Sequence, residues 1–276
     1  MRHATREAER LYQRGLKHLS DDPALAAHCL GQAAEAGHSE ARHNLAMLHL
    51  AGARSRSAAA IWLAEARQAG PQGEANARLF YPEGLDIEAD PPTAFAWASA
   101  AAEQGLAHAA ANLGMMHARG IGCPQDFGRA AHWYRQAAEA GDAAGALGLG
   151  ILYEHGLGIP PDAAAAARLY RMAADKRNDM AATALGLLHL AGRGVEKDVA
   201  AAAALLAGPA ARGNVFAQYH LGLLYLEGLG VTHDPDRARL WLDRAARQGH
   251  AGAKARLAED SPADPMQIDD KDAPAP

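Results

Sequence analysis

Leu221-Gly222-Leu223-Leu224-Tyr225-Leu226-Glu227-Gly228-Leu229-Gly230-Val231-Thr232-His233-Asp234 is the stretch that decides the fold. Its opening recurs as Leu185-Gly186-Leu187-Leu188-His189 and as Leu149-Gly150-Ile151-Leu152-Tyr153, at intervals of 36 residues (149 to 185, 185 to 221). A repeat of this size is one supersecondary unit whose apolar face is covered only by its neighbours, so the chain reads as an elongated stack with a binding surface. Ala217, Leu221, Leu224 and Tyr225 follow the i, i+4, i+7, i+8 spacing of one buried helix face. Gly222, like Gly114, Gly150 and Gly186, sits mid-helix, where glycine costs about 1 kcal/mol against alanine. Its recurrence predicts a close helix approach, with backbones touching.

The helix is expected to end at Gly228 and Gly230, as at Gly120 and Gly122, Gly156 and Gly158, and Gly192 and Gly194, because glycine readily takes the left-handed cap conformation. A short loop then reaches an aspartate, seen as Asp22, Asp90, Asp126, Asp162, Asp198 and Asp234. Such a residue is placed to accept from the free amides of a second helix, and Pro23, Pro91 and Pro235 supply proline at the first helical position. Capping accounts for these aspartates without catalysis.

Each unit closes on a glycine: Gly37, Gly70, Gly105, Gly141, Gly213 and Gly249, with Arg177 where a further one is due. Seven antiparallel helix pairs follow, about 4–37, 38–70, 71–105, 106–141, 142–177, 178–213 and 214–249, with a half-unit at 250–258 as a C-terminal cap. Eight residues before the closing glycine stand Trp62, Trp97, Trp133, Leu169, Leu205 or Trp241, which should wedge the second helix into its neighbour. The loop after Gly52 is three residues short and the third unit carries Tyr81-Pro82, so an irregularity is expected from about 52 to 90. Residues 260–276, rich in Asp, Pro and Ala, form an acidic tail expected to be disordered.

Alanine and leucine dominate and aromatics are 5% of the chain, which fits an all-α fold packed through small residues. The formal net charge is -5, and from residue 259 onward Glu259, Asp260, Asp264, Asp269, Asp270 and Asp272 face only Lys271. The repeat body is therefore near neutral, without the basic stripe that nucleic acid requires. Cys29 and Cys123 alone do not make a disulfide scaffold. With no apolar leader near Met1 and no long apolar run, the expected address is the cytoplasm, without membrane insertion.

The pattern Leu-Gly-x-Leu-Tyr-x-x-Gly-x-Gly-Val-x-x-Asp over residues 221 to 234 resembles the Sel-one-like repeat family, a relative of tetratricopeptide repeats, and the resemblance covers about nine-tenths of the chain. It implies an α-solenoid, a right-handed superhelix of antiparallel helix pairs, serving as an adaptor or scaffold for protein partners. A cysteine-rich subgroup of the family, with a disulfide in each helix pair, is associated with β-lactam binding or hydrolysis. This chain lacks that cysteine pattern.

The fourteen histidines include no two spaced three or four apart, the separation that sets two metal ligands on one helical face. His49, His117 and His189 alternate with Tyr81, Tyr153 and Tyr225 in one slot, giving a ladder of rings that is either packing or pH-sensitive. Cys123, in Gly120-Ile121-Gly122-Cys123-Pro124, has no partner at a telling spacing. No nucleophile elbow, phosphate-binding loop or His-Glu-x-x-His motif occurs.

The reading is therefore a non-enzymatic protein-binding adaptor with no cofactor, no metal and no small-molecule substrate. An inhibitor or immunity-type protein is the alternative, and a β-lactam enzyme the weakest. The expected partner surface is the exposed side of the first helices, which in related superhelices lines the concave groove: Asn44, His108, Asn112, Arg119, His155, Phe216, His220 and Glu227. These vary in type while their core neighbours repeat, as suits recognition on a fixed frame.

Overall fold

The computed structural model describes residues 2–17, 23–51 and 91–259, and among them all regular structure is helical. A first compact unit, Met1–Lys176, carries α1 (Arg2–Lys17), α2 (Pro23–Glu35), α3 (Ser39–Ala51), α4 (Pro91–Ala102), α5 (Ala107–Arg119), α6 (Phe127–Glu139), α7 (Ala143–His155) and α8 (Ala163–Asp175). A second, Arg177–Pro276, carries α9 (Asp179–Ala191), α10 (Val199–Ala211), α11 (Val215–Glu227), α12 (Pro235–Arg247) and α13 (Ala251–Glu259). The result is an all-α repeat fold. In the first unit α1 packs on α2, α5 on α6 and α7 on α8; in the second α9 packs on α10 and α11 on α12.

α3, in the expected pair 38–70, packs along α4, in the expected pair 71–105. Trp62, Gly70, Tyr81 and Asp90 lie outside the described residues, as do Asp22, the irregularity expected over 52–90 and the tail 260–276.

The caps follow the aspartates. Asp126, Asp162, Asp198 and Asp234 each accept, through Oδ1, the amide three residues on, at 2.9 Å. Their own amides donate back to the carbonyls of His117, Tyr153, His189 and Tyr225 at 2.9 to 3.1 Å, which ties each second helix to the end of the first. The first helices have caps that sequence reasoning passed over: Asp142, Asn178 and Asn214 accept at 2.8 to 2.9 Å. The ring nitrogen of His250 takes that role for α13 at 3.2 Å. Asp198→Ala is expected to lower stability by about 1 kcal/mol, the usual cost of losing a side-chain cap, measurable as a lower urea midpoint with an unchanged slope.

The two loop glycines do different work. Gly120, Gly156, Gly192 and Gly228 cap the first helices with φ between 66 and 68°. Gly122, Gly158 and Gly230, also at positive φ, press on the start of the preceding second helix. A Cβ there would stand 2.1 Å from the Pro91 oxygen, 2.5 Å from Phe127 Cβ or 2.6 Å from the Val199 carbonyl. At the closing position the space is open around Gly105, Gly213 and Gly249, and Arg177 occupies it at φ 62°.

The mid-helix glycines mark a close approach, but a side chain meets them first. A Cβ on Gly114 or Gly150 would lie 2.7 or 2.6 Å from the rings of Tyr134 or Tyr170; on Gly186 or Gly222 it would meet Leu206 or Leu242 at 3.1 or 2.9 Å. The buried wedge of the second helix is thus the residue after the one expected from sequence. Tyr170, Leu206 and Leu242 are 0 to 1% exposed, whereas Trp133, Leu169, Leu205 and Trp241 are only half-buried.

Candidate functional site

In the first unit, α3, α5 and α7 present the expected surface residues unevenly. Asn44 is fully buried, which removes it from any exposed groove. It faces inward because α3 packs against α4, and Asn112 of α5, half-buried, donates to Met47 Sδ of α3 at 3.3 Å. His108 is half-buried: its ring meets that of His43 edge-on at 4.1 Å, and its Nε2 lies 3.4 Å from Glu40 Oε2. Arg119 and His155 are exposed at the last residues of α5 and α7.

Burial holds the His43 pKa well below the ordinary imidazole range, with the neighbouring His108 adding to the effect. His220 and His117 are lowered for the same first reason. The unfolded chain therefore binds more protons than the folded one once the pH falls below the ordinary histidine value, about 6.5. Stability is expected to be level above that value and to fall between pH 6.5 and 5, where denaturant midpoints measured in wild type and His43→Gln should show a shallower decline in the variant.

The second unit exposes four large apolar side chains, Met180, Phe216, Leu229 and Leu240. Phe216 is 61% exposed and Met180 is 62% exposed. They are 36 residues apart, at the second position of α11 and of α9. His250 lies edge-on to Phe216 at 5.7 Å and stacks on Tyr219 at 4.2 Å, and Tyr219 meets His220 at 5.1 Å. His220 is half-buried, and Glu227 is exposed at the end of α11. Phe216 and His220 thus belong to one cluster. Sequence reasoning missed Met180, Tyr219 and His250; the signal for Met180 was its repeat register with Phe216.

The slot shared by histidine and tyrosine is held by contacts within a repeat and, at His117, by the repeat before it. His117 meets Phe95 edge-on at 5.2 Å, the His189 ring nitrogen lies 3.2 Å from the Glu196 carbonyl, and the Arg237 guanidinium sits 5.6 Å above Tyr225. His49 and Tyr81 lie outside what the structure describes at side-chain level.

Cys123 does have a neighbour that spacing failed to indicate: His117 Nδ1 is 3.6 Å from its Sγ. Burial pushes the thiol pKa up and the imidazole pKa down, so both groups are held neutral. This is the reverse of an activated thiolate. Among the described residues, no three His, Cys, Asp or Glu side chains are grouped to hold a metal. A groove of about 390 Å³ between α6, α7 and α8 is floored by Leu149, Tyr153, Leu169 and Met172 and flanked by Arg135 and Arg168. Its lining includes no serine, cysteine or histidine. Among the described residues no helix is long and apolar enough to cross a membrane.

Comparison with known proteins agrees with this geometry. The model of the Sel1 repeat matches residues 8–38, 39–71, 73–106, 107–142, 143–178, 179–207 and 215–250. A Sel1 repeat protein from Oxalobacter formigenes is similar in structure, with 26% identity over 92% of this chain and 89% of its own, at a TM-score of 0.67. The uropathogenic Escherichia coli protein c5321, a protective antigen displaying an SLR fold, is 29% identical over 92% of this chain and 56% of its own, at a TM-score of 0.62. An immunity protein of Pseudomonas aeruginosa, Pa5087, matches at 22% identity over 71% of this chain and 68% of its own, with a TM-score of 0.41 that lends the inhibitor reading no support. No curated protein sequence matches the chain significantly. Proteins of this repeat are generally non-catalytic modules of protein–protein interaction. With seven matched repeats spanning most of its length, the chain belongs to the Sel1 repeat family.

Proposed function

We propose that this protein is an adaptor that holds a protein partner against the exposed sides of its first helices and performs no chemistry of its own. The observation that carries the reading is the pair Met180 and Phe216, two large apolar side chains left more than half exposed at one register position of successive first helices. Scattered exposed apolar residues are ordinary, but a repeated one on a recognition frame marks a docking surface. The neighbouring rings of Tyr219, His220 and His250 offer the amphipathic contact area that interfaces favour. Glu227 is exposed at the end of α11 and would set polar selectivity beside them, and Arg119 and His155 are exposed at the matching ends of α5 and α7 in the first unit. The two free thiols fit a reducing compartment.

Met180→Ser with Phe216→Ser should abolish capture of the main partner from the native host while leaving the helical circular-dichroism signal intact. Unchanged capture would remove this surface from the account. A captured partner that proves to be a single enzyme, inactive in the complex, would replace the adaptor with an inhibitor.

A further inference from the structure

The groove between the second helices α6 and α8, over the first helix α7, lies wholly within the first unit. Repeat register explains why it is open. In the second unit the same positions fall on α10, α11 and α12, and there they are filled. The Arg237 guanidinium sits 5.6 Å above Tyr225, Trp241 packs on the cluster of Leu221 and Leu224, and the Arg244 guanidinium lies 4.8 Å above that indole. Trp133 takes the matching place on α6, against the cluster that holds Leu113. On α8 the positions of Arg237, Trp241 and Arg244 are occupied by Ala165, Leu169 and Met172. An indole and a guanidinium are thus missing above Tyr153, and a hollow of about 390 Å³ stands in their place.

We propose that this hollow is a second docking site, for a segment of a protein partner in which a tryptophan is flanked by acidic residues. The incoming indole takes the place that Trp133 and Trp241 hold in the other repeats. Leu149 and Leu169 form an apolar bed for it, and the Met172 thioether supplies the sulfur contact that favours aromatic edges.

The walls select the flanking charge. Arg135 and Arg168 are both exposed at the rim, and among the described residues neither is held in an ion pair. Glu139 is the one acidic residue of the lining, so the rim is net positive. A guanidinium can lie over an indole face, as Arg244 does over Trp241, and still bind a carboxylate in the ring plane. A basic segment would meet two like charges there. The site is separate from the Met180 and Phe216 surface, so either can fail without the other.

The test uses the full chain with isotope-labelled methionine methyls, the Met172 signal being identified by its loss in Met172→Leu. The blocked peptide Asp-Asp-Trp-Asp-Asp is expected to move the Met172 methyl upfield, saturably, through the ring current of its indole. The Met180 methyl is the control for the other surface and should stay in place. Leu169→Trp, which installs the indole of the neighbouring repeats, and Arg168→Glu should each weaken binding by about tenfold or more. The blocked peptide Lys-Lys-Trp-Lys-Lys should not bind. The assignment is overturned by a Met172 signal that does not move, by movement at Met180 alone, or by a response that Leu169→Trp leaves unchanged. Equal binding of the lysine peptide would also overturn it, and tighter binding of free indoleacetate than of the acidic peptide would give the hollow to a small molecule instead.

Discussion

Gly230→Ala is expected to destabilise the second unit by about 2–5 kcal/mol, combining about 1–2 for a left-handed conformation in a residue with a Cβ and about 1–3 for overpacking. The strain comes from φ 68°. The overpacking comes from the Val199 carbonyl carbon and oxygen, each 2.6 Å from where the Cβ would sit, and the Ala200 nitrogen at 2.7 Å. These are backbone atoms at the start of α10, and they cannot swing aside as a side-chain tip would. Gly249→Ala supplies the contrast, since φ is 95° there but nothing lies within 4 Å of the new methyl. Its cost should be the conformational part alone. Urea unfolding of both variants separates the two terms, and equal losses would show that the loop does not press on its neighbour.

Tyr170→Ala is expected to cost about 3–5 kcal/mol, as other large aromatic-to-alanine changes in cores do. Tyr170 is 1% exposed, lies across Gly150 of the preceding helix, and donates through its hydroxyl to Glu154 at 2.7 Å. Tyr170→Phe keeps the ring and loses the donor, and should cost about 1 kcal/mol. Gly150→Ala attacks the same contact from the other side, with the methyl 2.6 Å from the ring. In a double-mutant cycle Gly150→Ala and Tyr170→Ala should lose less together than the sum of the singles, because the truncated ring vacates the space the methyl needs.

These two positions also show how much of the fold could be read in the sequence. The loop glycines and capping aspartates repeat as residue types, and each has one local conformational reason that survives without tertiary knowledge. The wedge residue does not repeat as a type: it is Tyr134, Tyr170, Leu206 and Leu242 in turn. Its conspicuous neighbours Trp133 and Trp241 drew the assignment one residue early, and only the packing of helix on helix shows which of two adjacent large side chains turns inward. The contact of α3 with α4 was equally hidden, because repeat spacing assigns helices to units but does not state which helices of neighbouring units touch.

The candidate surface was legible in part for a related reason. Exposure on a repeat follows register, so Phe216, Arg119, His155 and Glu227 were placed on the outside by counting from the core leucines. Asn44 is buried instead, on a helix that packs along α4. Met180 was overlooked because a methionine beside a helix start reads as packing until its 62% exposure is seen. The His117 and Cys123 contact, at 3.6 Å, arises from a loop that folds back over the end of α5, which linear spacing does not encode.

The most direct measurement of the adaptor reading is site-specific photocrosslinking in the source cell, with a benzophenone side chain placed singly at 180, 216 and 240. Positions 180 and 216 lie on the first-helix face, while 240, also exposed at 47%, lies on a second helix. The account predicts one and the same protein adduct at 180 and 216 and none at 240. An adduct at 240 with none at 180 or 216 would contradict it.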